Sequence, residues 1–241
     1  MREINLLESN PKPERRIEKG WRTNKNKIIA KKFGFDFFDG DRINGYGGYY
    51  YDGRWKAVVN KLIELYEIDS ESSVLDIGCG KGFLLYDLQN MIPGIKVAGV
   101  DISEYAINKA MDKYGEFVVS KGHVGNPKEI EEEARKKVLP HMITGSADNL
   151  PWPDNSFDVV LSINTTHNLP INKCQKAIKE MLRVGRDKKK MFIQLDSYRN
   201  ETEKERMDAW AITAETTMFT HEWLKFLKDS GYDGDYYWTI V

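Results

Sequence analysis

Apolar residues in this chain fall into two patterns, short unbroken runs and stretches with helical spacing, and the two alternate along most of its length. Val58, Val59, Leu62 and Leu65 predict a helix over residues 55–66, and Leu85, Leu88 and Ile92 give residues 83–92 one apolar face. Further helices are expected at 104–114, 127–137, 171–184 and 222–230. Between them lie compact runs that start at Val74 and continue at 97–101, 142–144, 157–163, 191–195 and 236–241. Runs that apolar suit strands buried on both faces, as in a parallel sheet. Strand alternating with helix predicts an α/β, doubly wound architecture, with ligands at the carboxyl ends of the strands.

The first run ends in a distinctive turn, VLDIGCGKG over residues 74–82. Glycines at 78, 80 and 82 allow positive φ and let a ligand lie against the backbone, while the following helix points its N-terminus at that ligand. A dinucleotide fingerprint would need glycine at position 83, where Phe83 stands, and has no use for the carboxylate of Asp76. An acid two residues before the first glycine suits a ligand with a positive end. The second run closes on Asp101, about twenty residues on, where a ribose diol is usually gripped. Two acids around one glycine turn outline a nucleoside with a cationic tail.

With VAGVDIS and GSADNLPWPDNSFDVVLSINTTHNL following in order, the chain resembles class I S-adenosylmethionine-dependent methyltransferases from about Val74 to Asp196. The resemblance implies a Rossmann-like, mostly parallel sheet closed by an antiparallel C-terminal hairpin, with S-adenosylmethionine as cofactor. It implies that Gly78, Cys79 and Gly80 pass under the methionyl part, that Asp76 lies near its amino group and that Asp101 takes the ribose hydroxyls. Ile102 would pack on the adenine, Ala147 and Asp148 would reach its edge, and Asn164 on the fourth strand would face the cofactor. Ser146 stands at that adenine edge where many relatives carry Asp.

Residues 1–55 read as a basic arm and a lid on a domain formed by 56–241. The arm carries Arg2, Lys12, Arg15, Arg16, Lys19, Arg22, Lys25, Lys27, Lys31 and Lys32. The lid is dense in glycine and aromatic residues, which offer pliability, apolar faces and polar tips. Tyr46, Tyr50 or Tyr51 is expected to line the pocket, and Arg54 to meet the cofactor carboxylate or an anionic acceptor. A sulfonium is a cation, so aromatic faces suit it electrostatically. A polar stretch at 115–137 reads as an insertion.

Composition narrows the partners. The chain has 241 residues, 41% of them hydrophobic and 30% charged, with net charge −1. No apolar run is long enough to span a membrane, and without a basic overall balance nucleic acid is a poor partner. Cys79 and Cys174 make no metal spacing and suggest no disulfide, which agrees with a reducing cytoplasm. A small molecule, anionic or sugar-linked, is the expected acceptor.

Methyl transfer is an in-line displacement, so the protein must place the acceptor atom and exclude water, with a base only where a proton must leave. His167, just past a strand end, is the candidate base. Asp196 and Tyr198 follow the fifth strand at the same sheet edge, and Trp210 belongs to a segment able to close an acceptor pocket. FFDGDRINGYGGYYYDGRW, DSYRNE and GDYYW resemble enzymes that decorate bacterial surface-polysaccharide precursors, including those that O-methylate a capsular phosphoramidate. The expected activity is therefore O-methylation of such an acceptor; the alternative is a catalytically silent S-adenosylmethionine-binding regulatory or scaffold subunit.

Overall fold

The short apolar runs are buried on both faces, so their backbone groups find partners only in neighbouring strands, and they assemble into one sheet. The computed structural model describes residues 1–10 and 15–241; Lys12 of the basic arm lies outside them. Among the described residues the strands are β1 (Ser73–Ile77), β2 (Lys96–Asp101), β3 (Met142–Thr144), β4 (Val159–Ile163), β5 (Met191–Tyr198), β6 (Met218–Phe219) and β7 (Asp235–Thr239). Their order is β3-β2-β1-β4-β5-β6, with β7 also paired to β5. The chain reverses direction across the sheet between β1 and β4, which puts the switch point at the carboxyl end of β1.

The helices are α1 (Asn24–Ala30), α2 (Phe35–Phe38), α3 (Trp55–Tyr66), α4 (Phe83–Met91), α5 (Glu104–Asn108), α6 (Tyr114–Ser120), α7 (Pro127–Val138), α8 (Ile171–Val184), α9 (Glu201–Trp210) and α10 (Thr220–Asp229). Two clusters cover opposite faces of the sheet. Val58, Leu62, Leu85, Leu88 and Val138 pack with Val74, Leu161 and Phe192 on one face. Ile178, Met181, Trp223 and Leu227 pack with Leu75, Ile193 and Leu195 on the other. Successive strand residues thus alternate between faces, as a pleated strand requires. No helix among the described residues is long and apolar enough to cross a membrane.

The C-terminal hairpin expected to be antiparallel is not. Every pairing between the named strands is parallel, and β7 runs alongside β5 from Phe192↔Asp235 to Asp196↔Thr239. The cause is α10, which lies between β6 and β7 and carries the chain back to the starting end of the sheet, so β7 enters in the same direction as β5. The free edge of β7 is then covered by the N-terminus: Ile4 N–H donates to the Tyr236 carbonyl at 2.9 Å and Tyr236 N–H to that of Arg2 at 3.0 Å. Buried Asp235 accepts both the Arg2 guanidinium, at 2.9 and 2.8 Å, and the Tyr66 hydroxyl, at 3.0 Å.

The helix expected at 104–114 also breaks. α5 stops at Asn108, and Met111 and Lys113 take left-handed φ of 58° and 61° before α6 begins. Met111 is fully buried and its N–H donates to the Lys81 carbonyl at 3.0 Å, so the chain turns inward to meet the glycine turn. The stretch at 115–137 forms most of a helical pair, α6 and α7, with Ala134 and Val138 of α7 in the core.

Candidate functional site

Beyond Ile77 the chain leaves the sheet through Gly78, φ 85°, and Gly80, φ 55°. A Cβ on Gly78 would stand 1.9 Å from Thr165 Oγ1, so the residue must be glycine for both conformation and space. The N–H groups of Gly78 and Cys79 donate to the Val100 carbonyl at 2.7 and 3.2 Å, which pins the turn to β2. Gly80 N–H donates to Asp101 Oδ2 and Ser103 N–H to Asp101 Oδ1, each at 2.8 Å. Burial still raises the Asp101 carboxyl, against those two hydrogen bonds.

Asp76 is different. Only 6% exposed, its side chain makes no hydrogen bond or ion pair among the described residues, and burial, followed by the charge of Asp101, pushes its pKa up to about 7. A buried carboxylate without a partner is costly and calls for a cation. The turn thus offers an unpaired acid, a second acid held by backbone N–H groups, and glycine backbone between them. At the far end Ile102 is 55% exposed, an apolar face open to a ring. Ser146 Oγ donates to the Asp148 carboxylate, and Ala147 and Asp148 are buried beside it.

The lid sorts its tyrosines in a way that the sequence order conceals. Tyr51 is buried in the core and its hydroxyl donates to Asp87 at 2.6 Å, so it does not line the pocket. Tyr50 faces outward, 39% exposed, with the Lys113 ammonium 4.1 Å from its ring centre. Tyr46 stays partly open and lies near the acids of the site. It is 43% exposed, yet burial at its hydroxyl, then the charges of Asp101 and Asp196, push that hydroxyl up to about 12. Its ring lies 4.6 Å from that of Tyr49, a residue absent from the sequence-based candidates. Tyr49 lies against the turn, with a ring carbon 3.3 Å from the place a Gly80 Cβ would occupy. Burial holds the Tyr49 hydroxyl well above its usual pKa, with Tyr46, Asp76 and Asp101 adding to the effect. Arg54 is paired with Asp52, 2.8 Å away at Nε, and its charge also reaches Tyr49.

On the other side of the turn, Asn164 sits one residue past β4, not on it, in a left-handed conformation with φ 54°. Its Oδ1 accepts from Thr239 Oγ1 at 2.6 Å, and Thr239 accepts from Gln194 Nε2 at 2.9 Å. Gln194 Oε1 is buried and has no partner among the described residues. Asn164 and Gln194 line a cleft of about 1030 Å³ with Arg15, Arg54, Arg199 and Arg206. Arg199 is paired with Glu203, whereas Arg15 and Arg206 have no ion-pair partner among the described residues.

His167 is 3% exposed, and both its nitrogens are engaged by one residue. Nδ1 accepts from the Asp196 N–H at 3.1 Å, which leaves the proton on Nε2, 3.3 Å from Asp196 Oδ2. Burial lowers the His167 pKa, partly opposed by Asp196. Among the described residues Asp196 Oδ1 makes no hydrogen bond, and burial raises this carboxyl while His167 and Arg15 pull it down. The Arg15 guanidinium lies 5.0 Å over the Trp210 ring, so arm and Trp210 meet near Asp196. Tyr198 packs edge-on against Phe219 at 4.6 Å and donates to the Thr217 carbonyl at 3.4 Å, a packing role instead of the expected pocket wall.

Residues 68–231 match the family model described as a methyltransferase domain. A malonyl-(acyl-carrier protein) O-methyltransferase of Acetivibrio thermocellus is 33% identical over 63 residues, 25% of this chain and 22% of that protein, so the chain spans about a fifth of that relative's length in the match. Among solved structures, the cyclase SpnF shares 18% identity with a TM-score of 0.51, over 78% of this chain and 60% of that one. The YcgJ protein of Bacillus subtilis shares 19% identity with a TM-score of 0.47, over 71% and 66%. The likeness to SpnF is one of fold. By the extent of the match at 68–231, the chain belongs to the methyltransferase-domain family, whose members in general use S-adenosylmethionine.

Proposed function

We propose that the protein transfers a methyl group from S-adenosylmethionine to an oxygen of a small anionic acceptor. The observation that carries this reading is Asp76, a buried acid with no partner among the described residues, beside a glycine turn and a second acid. Asp76 would hold the ammonium of the cofactor, Asp101 its ribose hydroxyls, and the backbone at Gly78, Cys79 and Gly80 its methionyl chain. Ile102, Ser146, Ala147 and Asp148 would receive the adenine, and Arg54 the carboxylate. When bound, the cofactor supplies an electrophilic methyl on a positively charged sulfur.

The residues of this chain then orient the acceptor and shield the transfer from water. Arg15, Arg54, Arg199 and Arg206 outweigh Glu3 and Glu203 in the lining of the cleft, which favours a phosphate- or carboxylate-bearing molecule. Asn164 lines the cleft, and Tyr46 lies near both Asp101 and Asp196. His167 would orient Asp196, whose Oδ1 has no hydrogen-bond partner among the described residues and would take the proton of an acceptor hydroxyl. Trp210 closes the wall under Arg15. The short O-methyltransferase match agrees with an oxygen acceptor, and precursors of bacterial surface polysaccharide, implied by the lid signatures, fall within the anionic class.

Incubation with methyl-labelled S-adenosylmethionine and a panel of phosphorylated and carboxylated sugars, nucleotide-sugars and acyl carriers tests the reading. Label on one panel class with release of S-adenosylhomocysteine is expected. Tight cofactor binding with no label transferred anywhere would instead favour the silent cofactor-binding subunit.

A further inference from the structure

Lys81 is a long cationic side chain in the middle of a glycine turn, a place where solvent exposure would be ordinary, yet it is fully buried. Its Nζ donates to both oxygens of Asp39 in the lid, at 2.9 and 2.8 Å, and lies 3.3 Å from Asp112. The same Asp39 accepts the Tyr105 hydroxyl of α5 at 2.7 Å and the backbone N–H of Tyr49 at 3.1 Å. One carboxylate thus ties together the turn, α5 and the lid at the residue whose ring lies on Gly80. Burial raises the Asp39 carboxyl, but the hydrogen bonds from Lys81, Tyr105 and Tyr49 outweigh it and leave the group below its usual range, hence ionised.

The Tyr49 ring is fixed on its other sides too. It stacks on Phe83 at 5.2 Å and 22°, and meets Phe38 edge-on at 5.7 Å. The charges of both Asp76 and Asp101 bear on its hydroxyl, so both acids are near it. If these acids take the ammonium and ribose ends of the cofactor, a ring set against Gly80 and near both acids would lie close to the sulfur that joins those ends.

We propose that Asp39 and Lys81 are a positioning pair that holds the Tyr49 ring over the cofactor turn, where its face recognises the positive charge on the cofactor's sulfur. The proposal rests on the S-adenosylmethionine reading and adds to it the residue that distinguishes the charged donor from its neutral product. A hydrophobic pair of similar volume would fill the same space without the cost of burying charge. The ion pair adds direction: it fixes Asp39, and Asp39 fixes the Tyr49 backbone.

S-adenosylmethionine is cationic at sulfur and S-adenosylhomocysteine is not, so calorimetry with both on the full chain separates charge recognition from general packing. Tyr49→Leu is expected to lose about three- to tenfold more affinity for the charged ligand than for the neutral one, while Tyr49→Phe keeps the preference. Asp39→Asn is expected to lose the preference in the same way. The double variant Asp39→Leu/Lys81→Met removes the buried pair together, leaving only the part-exposed Asp112 without its cation, and should lose the preference even if the single variant folds poorly. Equal losses for both ligands, or an unchanged preference in Tyr49→Leu and in the double variant, would overturn the proposal. Failure of the unaltered chain to bind either ligand would overturn the cofactor reading itself, and this proposal with it.

Discussion

Asp76 is the residue at which chemistry and structure agree most closely, and its titration gives a sharp expectation. Its folded-state pKa, raised to about 7, lies above the ordinary carboxylate value, so the ionised form is disfavoured in the ligand-free fold. The stability contribution of this group is therefore full at low pH and is lost as pH rises through about 7. A cationic ligand reverses the preference, and S-adenosylmethionine affinity should rise toward pH 7 by up to about tenfold per unit before levelling off. Calorimetry from acid to neutral pH checks this, with Asp76→Asn expected to bind more weakly and to flatten the rise; an unchanged slope in that variant would count against the assignment. For the Asp196 and His167 pair, Asp196→Asn should lower turnover by about a hundredfold with little change in cofactor affinity. His167→Ala should lower turnover less, by about tenfold, since it acts through Asp196; steady-state rates distinguish the two. Asp76, Asp101 and the glycines were legible because their chemistry is local to a few adjacent positions. The choice among the lid tyrosines was not: Tyr49, Tyr50 and Tyr51 are consecutive, and the side each faces is set by Asp39 elsewhere in the lid and by Lys113 and Asp87 from distant parts of the chain.

At the level of elements, helical periodicity located α3 and α8 with the bounds that the structure shows, because each buries one continuous stripe against the sheet. It missed the break after α5, which depends on Met111 reaching the Lys81 carbonyl, and it missed the direction of β7, which depends on where α10 packs. Strand direction is a property of the connection and leaves no mark on the apolar pattern of the strand. The α6 and α7 pair offers a test of close packing: a Cβ on Gly115 would stand 1.7 Å from the Pro127 carbonyl oxygen, a backbone atom with no rotamer to yield. Gly115→Ala should therefore destabilise the fold by about 1–3 kcal/mol, read from the midpoint of denaturant unfolding. The junction between turn and lid is more sensitive. Lys81→Met leaves Asp39 buried without its cation and should cost about 3–5 kcal/mol, more than the double variant Asp39→Leu/Lys81→Met, by the same measurement.

Across the whole molecule, a chain with net charge −1 gathers four arginines, Arg15, Arg54, Arg199 and Arg206, against two glutamates, Glu3 and Glu203, along one cleft. The basic arm seen in the sequence contributes to this through Arg15, while Arg2 is instead bound to Asp235 at the edge of β7 and serves the sheet. Charge in the arm was readable from composition; its division between fold and cleft was not, because it depends on the N-terminus pairing with β7. The groups assigned to the cofactor follow the carboxyl ends of β1, β2, β3 and β4, with Arg54 from the lid, as expected for a parallel sheet with its switch point between β1 and β4. The central claim is that this site binds S-adenosylmethionine through its two acids. Calorimetric titration of the unaltered chain and of Asp101→Ala with S-adenosylmethionine tests it most directly. One ligand per chain with affinity reduced at least about tenfold in the variant is the expected result; no binding to the unaltered chain, or equal binding to both, would contradict it.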